Sequence, residues 1–340
     1  MKQSWRAALG ILISLGFVYF ALRGQDFGRI REALGQVNYW WILPALVVYM
    51  TGICIRAFRW SLLLRPIQRV PLRLVIPITV IGYMANNVLP LRTGELVRSY
   101  VLSKNTGIPK TTALATIAVE RLIDGITLLM FILVSMTFVT YTSYLRHIAI
   151  VAFGVFSVAL IGIFLLTLGG NFRDRLLQIV LGPLPTSVAD KVEKLTESFL
   201  SGLEIMKNKR DLSLVMLTSL VAWLFEASTY YLIARGFPSA LTSKMGVGET
   251  LLTTGVGNLA TLVPSGPGYV GTFEAGIQAV LHGALNIPLE MSFSYAVVLH
   301  ATLYFPVTVW GAIEWWRMHL TVGQMRSSDD DATIETASAV

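Results

Sequence analysis

Charged side chains are scarce in this sequence. Only 14% of its 340 residues are Asp, Glu, Lys or Arg, whereas 54% are hydrophobic, and an average soluble chain carries about 25% charged residues. So little polar surface cannot cover a chain of this length in water, which excludes an ordinary soluble domain. The sequence therefore predicts an integral membrane protein.

Cysteine is nearly absent, and familiar cofactor patterns are missing. The single cysteine, Cys54, lies in an apolar run, which excludes an internal disulfide and leaves the redox compartment undefined. No Gly-x4-Gly-Lys-Ser/Thr pattern occurs, so we do not expect this chain to use ATP as an energy source. His282, His300 and Glu314 have no neighbours at metal-ligand spacing, and we interpret them as core or interface residues. We expect neither a metal nor another cofactor.

The net charge of +7 raises the question of nucleic-acid binding. The basic residues, however, cluster beside apolar runs, where they set membrane topology and meet anionic headgroups. We therefore expect no nucleic-acid partner. Membrane lipids are the expected partners, and a separate lipid-modifying enzyme and a second copy of the chain stay open.

Six apolar runs approach the length of about 20 residues that a bilayer requires. They cover residues 5–22, 40–62, 113–140, 147–169, 213–235 and 291–316. Two further apolar segments, 74–110 and 249–285, are broken at Pro90 and Pro264. Irregular backbone survives in lipid only where protein or water satisfies its polar groups, so these breaks predict re-entrant helical hairpins and a transport site. The alternative is one or two kinked spans in each segment, since Pro and Gly are common in membrane helices.

Basic residues alternate between the two sides of this topology. If the amino terminus is inside, the groups at 56–110 and 173–210 fall on the cytoplasmic side, as the positive-inside rule requires. Both termini are then cytoplasmic, and the chain is a multi-pass protein of the cell (inner) membrane.

In this topology each half consists of two spans, then a hairpin, then a third span. Three spans per half is an odd number, so the halves, about 1–140 and 147–316, form an inverted repeat. The Pro90-x3-Gly94 spacing recurs as Pro264-x3-Gly268, although chance can also produce such an echo. The predicted fold is all-α, with about six full spans and two re-entrant hairpins in one domain over 1–322.

Three segments have a more neutral interpretation. Residues 5–22 resemble a signal peptide but lack a small-x-small cleavage site, so we expect a retained span. Apolar residues at helical spacing beside lysines predict interfacial helices within 170–212, which serve as a linker or as lipid sensors. The polar segment 323–340 predicts a disordered tail.

Ionisable residues inside apolar runs cost several kcal/mol unless they are paired or hydrated. Glu226 lies in the middle of the fifth run with no cation in that run. It predicts a proton-bearing or ligand-orienting carboxyl, with a neutral, hydrogen-bonded carboxyl as the alternative. Glu120, Arg121 and Asp124 open the third run; the two acids share a face and Arg121 can pair with Asp124, or the group is a salt-bridged helix start.

Two other groups have structural explanations. Arg56 and Arg59 lie near the end of the second run, and we expect them to snorkel toward lipid phosphates. Glu274 falls in the first turn of a helix that begins near Gly271 or Thr272, where the helix dipole favours a carboxylate.

Four motifs occur in the order that one family shows. They are Asn86 to Arg98 (NNVLPLRTGELVR), Glu120 to Asp124 (ERLID), Arg56 to Trp60, and Pro264 to Glu274 (PSGPGYVGTFE). Over about residues 1–322 the chain resembles the lysylphosphatidylglycerol synthase transmembrane region, also described as flippase-like membrane proteins. That resemblance implies a lipid-translocating fold, which in multidomain relatives moves aminoacylated phosphatidylglycerol to the outer leaflet. Because the soluble aminoacyl-transferase domain of those relatives is missing after the last span, we expect no lysyl-lipid synthesis and no enzyme activity.

The predicted function is translocation of an anionic, aminoacylated or polyprenyl-linked lipid, by a flippase or a scramblase. The predicted substrate-binding residues are Asn86, Asn87, Arg92, Glu95, Arg98, Glu120, Arg121, Asp124, Glu226, Asn258, Ser265 and Glu274. Arginines would attract phosphate, asparagines would supply neutral hydrogen bonds, and acids would meet cationic or hydroxylated groups. Two alternatives stay open: a membrane enzyme acting on a lipid pyrophosphate, although Ser265 has no cation nearby in sequence, and a transporter of a small solute.

Overall fold

The computed structural model describes residues 23–89, 93–139, 209–263 and 265–320, with five isolated positions elsewhere. These ranges form α-helices and no strands, which confirms the all-helical prediction for the described part of the chain. The helices are α1 (Phe27–Gly35), α2 (Ile42–Leu64), α3 (Leu72–Val88), α4 (Gly94–Thr106), α5 (Lys110–Ser135), α6 (Lys209–Arg235), α7 (Ser239–Thr242), α8 (Val247–Ala260), α9 (Thr272–Leu281) and α10 (Leu289–Arg317). Apart from those five positions, the predicted spans 5–22 and 147–169 lie outside the described residues, as do nearly all of 170–212 and the tail 323–340.

Three stretches are long and apolar enough to cross a membrane: Tyr39–Leu64, Arg210–Arg235 and Leu289–Arg317. They match the runs predicted at 40–62, 213–235 and 291–316. Helix α5 covers most of the run at 113–140 and has 26 residues, but Glu120, Arg121 and Asp124 interrupt its apolar sequence. The total of six spans stays a prediction.

The first broken segment forms two antiparallel helices, α3 and α4. Helix α3 ends at Val88, and the Gly94 amide at the start of α4 donates a 2.8 Å hydrogen bond to Asn86 Oδ1 on α3. A Cβ at Gly94 would meet the Gly82 carbonyl and the Asn86 side chain, so only glycine lets α4 begin this close to α3. A left-handed Gly107, at φ 76°, ends α4.

The second broken segment forms the antiparallel pair α8 and α9. Gly257 of α8 packs against Ile277, and Ala260 packs against Gly276. Between the helices, residues 261–271 contain a short 3-10 turn at Pro267–Tyr269. Each predicted hairpin therefore has two antiparallel helices, and we call the segment between them its tip; whether each hairpin enters and leaves the same face of a membrane stays a prediction.

The long helices pack in a pattern that is unchanged when the two halves are exchanged. Helices α2, α3, α4 and α5 are matched, in this order, with α6, α8, α9 and α10. The contact of α3 with α10 then corresponds to the contact of α8 with α5, and the contact of α4 with α5 corresponds to that of α9 with α10. The matched helices α2 and α6 touch each other and run antiparallel, from Asn38 beside Gly236 to Arg65 beside Asp211.

Most of the apolar core lies in two clusters. One surrounds Trp60 and includes residues of α2, α3, α4 and α5 and of the start of α6. The other surrounds Tyr230 and Tyr295 and joins α6, α9 and α10. Three smaller apolar clusters complete the core of the described residues, and the candidate site lies among buried charged side chains.

Candidate functional site

A cavity of about 150 Å³ lies where the two hairpin tips meet. Helices α2 to α6 and α8 to α10 all contribute to its wall. Seven of the predicted site residues line it: Asn86, Asn87, Glu95, Arg121, Asp124, Glu226 and Asn258. A polar cavity of this size holds several water molecules, so it can hydrate a polar group deep inside an apolar protein.

The first hairpin tip is tied to α10. Asn87 Nδ2 donates to Thr308 Oγ1 at 2.8 Å and to the Tyr304 carbonyl at 3.3 Å. The Tyr304 hydroxyl donates back to the Asn87 carbonyl at 3.3 Å. Gly268, in the second tip, packs against the Tyr304 ring and near the Asn87 carbonyl. Tyr304 therefore touches both tips and fixes their relative position.

A buried ion-pair network lies beside the cavity and is centred on Arg59. Its guanidinium contacts Asp124 Oδ1 at 2.5 Å, Glu120 Oε1 at 3.1 Å and Ser219 Oγ at 2.7 Å. Arg59 and Glu120 are fully buried, and Arg98 reaches the second Glu120 oxygen at 2.9 Å. The prediction that Arg59 snorkels to lipid phosphates is wrong, because two acids on α5 hold it inside the protein.

Glu226 also has a cation, which comes from a neighbouring helix. Arg56 of α2 lies 2.6 Å from Glu226 Oε2, and its guanidinium stacks 4.5 Å from the centre of the Trp223 ring. The expectation of snorkelling is wrong for Arg56 as well. Trp223 Nε1 donates to Asp124 Oδ1 at 2.8 Å and links this pair to Arg59's network.

The cavity opens toward Arg121 and Glu95. These side chains keep about a third of their surface exposed, 33% and 32%, whereas the inner acids Asp124 and Glu226 each keep 6%. The predicted pairing of Arg121 with Asp124 is present at 3.5 Å, and Arg121 lies 3.8 Å from Glu95. At the mouth, Arg121 therefore combines a loose contact with Glu95 and a 3.0 Å contact with the buried Glu120.

The second hairpin tip is held by Glu274 and His300. As predicted, α9 begins at Thr272 with Glu274 in its first turn. Glu274 Oε2 accepts a 2.6 Å hydrogen bond from the Gly271 amide, and its other oxygen lies 2.5 Å from His300 Nδ1. His300 lines the cavity, whereas Glu274 lies behind it. Ser265 also stays out of the lining and accepts a long hydrogen bond, 3.4 Å, from the Thr272 hydroxyl.

The other predicted residues have mixed positions. Arg98 and Glu120 are buried behind the cavity wall, so they support lining residues and do not face the cavity. Asn258 lines it, and its amide donates 3.0 Å hydrogen bonds to the Tyr230 hydroxyl and the Thr254 carbonyl. Arg92, together with Pro90 and Pro264, lies outside the described residues.

Sequence analysis missed part of the wall. Arg56, His300 and several aromatic side chains line the cavity; the aromatic ones are Tyr49, Tyr83, Trp223, Tyr269, Phe273 and Tyr304. Aromatic residues in apolar runs carry no signal that separates a cavity wall from lipid-facing packing. The ionisable character of His300 within a predicted span was the available signal. In the part of the chain that the structure covers, no cluster of His, Cys, Asp or Glu could hold a metal ion.

The fold and the site define an all-helical membrane protein with a charged internal cavity. Residues 7–311 match the family described as the lysylphosphatidylglycerol synthase TM region. The chain belongs to this family, which confirms the resemblance seen in the four motifs.

Similar proteins have two kinds of names. The glycosyltransferase AglD of Haloferax volcanii is 25% identical over 81% of this chain, which spans only 48% of AglD. A UPF0104 membrane protein of Methanothermobacter thermautotrophicus is 27% identical over 92% of both chains. A UPF0104 membrane protein of Methanocaldococcus jannaschii is 23% identical over 91% of this chain and 94% of its own length.

Proposed function

We propose that this protein moves the polar headgroup of a membrane lipid between leaflets through the cavity between its hairpin tips, while the acyl chains stay in the bilayer. The single observation that carries the proposal is the cavity itself, where charged and amide side chains from both halves converge. A bare phosphate in a medium of low dielectric faces a cost of tens of kcal/mol, so its passage needs such a polar path.

The arginine–carboxylate pairs beside the cavity are balanced in charge, which suits a site that must also exist empty. Four arginines and four acids participate: Arg56, Arg59, Arg98, Arg121, Glu95, Glu120, Asp124 and Glu226. With each charge paired, no buried ion is left uncompensated before a headgroup enters. A lipid phosphate could then exchange with Glu95 at Arg121, the most exposed of these arginines, while Asn86, Asn87 and Asn258 supply neutral hydrogen bonds.

We propose an inverted repeat for the architecture. Its support is the packing pattern, which is unchanged when the halves are exchanged, together with the antiparallel contact of the matched helices α2 and α6. Two hairpins of opposite orientation would place their tips near the middle of the bilayer. The six-span topology, cytoplasmic termini and location in the cell membrane belong to the same proposal.

Reconstitution in liposomes tests the function. Fluorescent phosphatidylglycerol, aminoacylated phosphatidylglycerol and a polyprenyl phosphate would be compared for the loss of signal on adding a membrane-impermeant quencher. We expect Arg121→Gln to slow movement of the preferred anionic lipid about tenfold, which corresponds to about 1.4 kcal/mol. Arg65→Gln is the matched control, because Arg65 is 45% exposed and forms only a 3.8 Å contact with Asp211.

Equal rates with protein-containing and empty liposomes for every lipid would contradict the proposal. We propose that the chain is not an enzyme. Release of phosphate from a lipid pyrophosphate, or transfer of a sugar as AglD's name suggests for that protein, would favour a catalytic function instead. Uptake of a water-soluble solute without lipid movement would favour a solute transporter.

A further inference from the structure

At the cavity wall a base, His300, and an acid, Glu274, form a close pair. His300 Nδ1 lies 2.5 Å from Glu274 Oε1, and the imidazole side chain keeps 13% of its surface exposed. A neutral histidine that donates its Nδ1 proton to the carboxylate keeps Nε2 as an acceptor. The ring can therefore take a proton from the cavity without breaking its bond to Glu274.

Glu274 connects this pair to the second hairpin tip. The oxygen that does not contact His300 accepts the Gly271 amide at 2.6 Å. Gly271 has φ 92°, a conformation that glycine adopts without strain, and it is the last residue before α9. The carboxylate thus joins His300 of α10 to the backbone at the point where the tip becomes helix.

The other carboxyl proposed from sequence as a proton carrier has a different environment. Glu226 lies 2.6 Å from Arg56, and arginine does not lose its proton in proteins. The partner of Glu274 is instead a histidine, the side-chain type whose ordinary charge change falls between about pH 5 and 8.

Few charged groups face His300 directly. Phe273 contacts the ring at 4.8 Å between centroids with the ring planes tilted by 46°, and Tyr304 makes an edge contact at 6.0 Å. The remaining ionisable groups of the shared cavity wall are Tyr49, Arg56, Tyr83, Glu95, Arg121, Asp124, Glu226 and Tyr269. The two arginines among them are engaged by acids, so Glu274 is the close charged partner of the imidazole.

We propose that His300 and Glu274 form a proton-binding site and that its proton holds the second hairpin tip closed. With His300 protonated, an imidazolium–carboxylate ion pair replaces a hydrogen bond from a neutral donor, and the attraction between opposite charges is added to that bond. Glu274 is then held where it accepts the Gly271 amide. When His300 loses its proton, this hold weakens and the tip opens more often. The protonated pair therefore stabilises the tip at low pH, and this stabilisation is lost as pH rises.

Amide hydrogen exchange of the purified full-length protein tests the site directly. The rate for the peptide covering residues 265–275 would be measured at several values between about pH 5 and 8 and corrected for the intrinsic pH dependence of exchange. We expect the corrected rate in the wild type to rise several-fold with pH. His300→Gln should make it flat, because the glutamine amide can still donate to Glu274 but takes no proton.

Two further variants separate titration from simple damage. Glu274→Gln keeps an acceptor for the Gly271 amide but removes the charge, so its profile should also be flat. His282→Gln is the matched control: His282 lies at the other end of the same hairpin and contacts the Ile287 carbonyl at 2.9 Å, so this variant should keep the wild-type profile. A flat wild-type profile, or pH dependence that persists in His300→Gln, would overturn the proposal.

The consequence for lipid movement rests on the proposed function. If the tip must open during transport, wild-type protein in liposomes should move lipid several-fold faster at the high end of this pH range, and His300→Gln should be insensitive to pH. Exchange data as expected, with no lipid movement at any pH, would support the proton site and refute the lipid function. Lipid movement with a flat exchange profile would refute the proton site alone.

Discussion

Replacing Arg59 with methionine should be among the most destabilising single changes in the described part of the chain. Arg59 is fully buried and contacts Glu120 at 3.1 Å and Asp124 at 2.5 Å. Methionine fills similar space but leaves Asp124 with the more distant Arg121, at 3.5 Å. Removing one partner of a buried ion pair costs about 3–5 kcal/mol, and in this network Asp124 would lose its closest cation.

The expected shift is large enough to measure by thermal unfolding in detergent. At about 2.1 cal/mol/K of unfolding entropy per residue, a chain of 340 residues loses about 1.4 °C of midpoint for each kcal/mol. Arg59→Met should therefore lower the midpoint by about 4–7 °C, as followed by tryptophan fluorescence. Arg59→Lys should fall between wild type and Arg59→Met, since lysine keeps the charge but not the forked geometry.

Arg65→Met provides the comparison. Arg65 lies near the end of the same helix, is 45% exposed and lies 3.8 Å from Asp211, so its loss should cost at most about 1 kcal/mol. Equal midpoints for Arg59→Met and Arg65→Met would refute the reasoning, because the network around Arg59 would then contribute no more than a surface contact.

Three other predictions use the same assay. Gly94→Ala should cost about 1–3 kcal/mol, because its Cβ has no space between α3 and α4; Gly35→Ala, in open space, should have little effect, and equal shifts would contradict the tight approach of the two helices. Glu226→Gln should destabilise by about 3–5 kcal/mol by leaving Arg56 unpaired, and adding Arg56→Gln should recover part of that loss; additive losses would show that the pair is not coupled. Trp223→Phe keeps an aromatic ring under Arg56 but removes an indole donor to a buried carboxylate, so we expect a loss of about 1–3 kcal/mol. An unchanged midpoint for Trp223→Phe would show that water or another donor replaces the indole.

Local patterns predicted the helices well. Apolar runs of bilayer length gave the three described spans to within a few residues, because length and hydropathy are properties of the run itself. The breaks at 90 and 264 likewise predicted two helical pairs, since proline and glycine interrupt helices wherever they fold. The charged cluster of α5 was visible too, including the pairing of Arg121 with Asp124 at i, i+3.

Partners across helices were not predictable in this way. Arg56 and Arg59 lie near a span end, where snorkelling to the interface is the ordinary expectation. In the structure they turn inward, because Glu226 comes from α6 and Asp124 from α5. His300 was interpreted as a core or interface residue for the same reason: its partner Glu274 lies 26 positions away along the chain.

The sequence by itself determined the membrane class, the family, the helical character of the described residues and most of the polar residues that reach the cavity. Each of these depends on composition, or on spacing within one segment or motif. Only the tertiary structure decided which acid meets which base, and which of the ionisable pairs contains a histidine in place of an arginine. Those choices depend on distances between helices that are far apart in sequence, and a change of a few ångströms in packing separates a structural ion pair from a site that binds a proton or a headgroup.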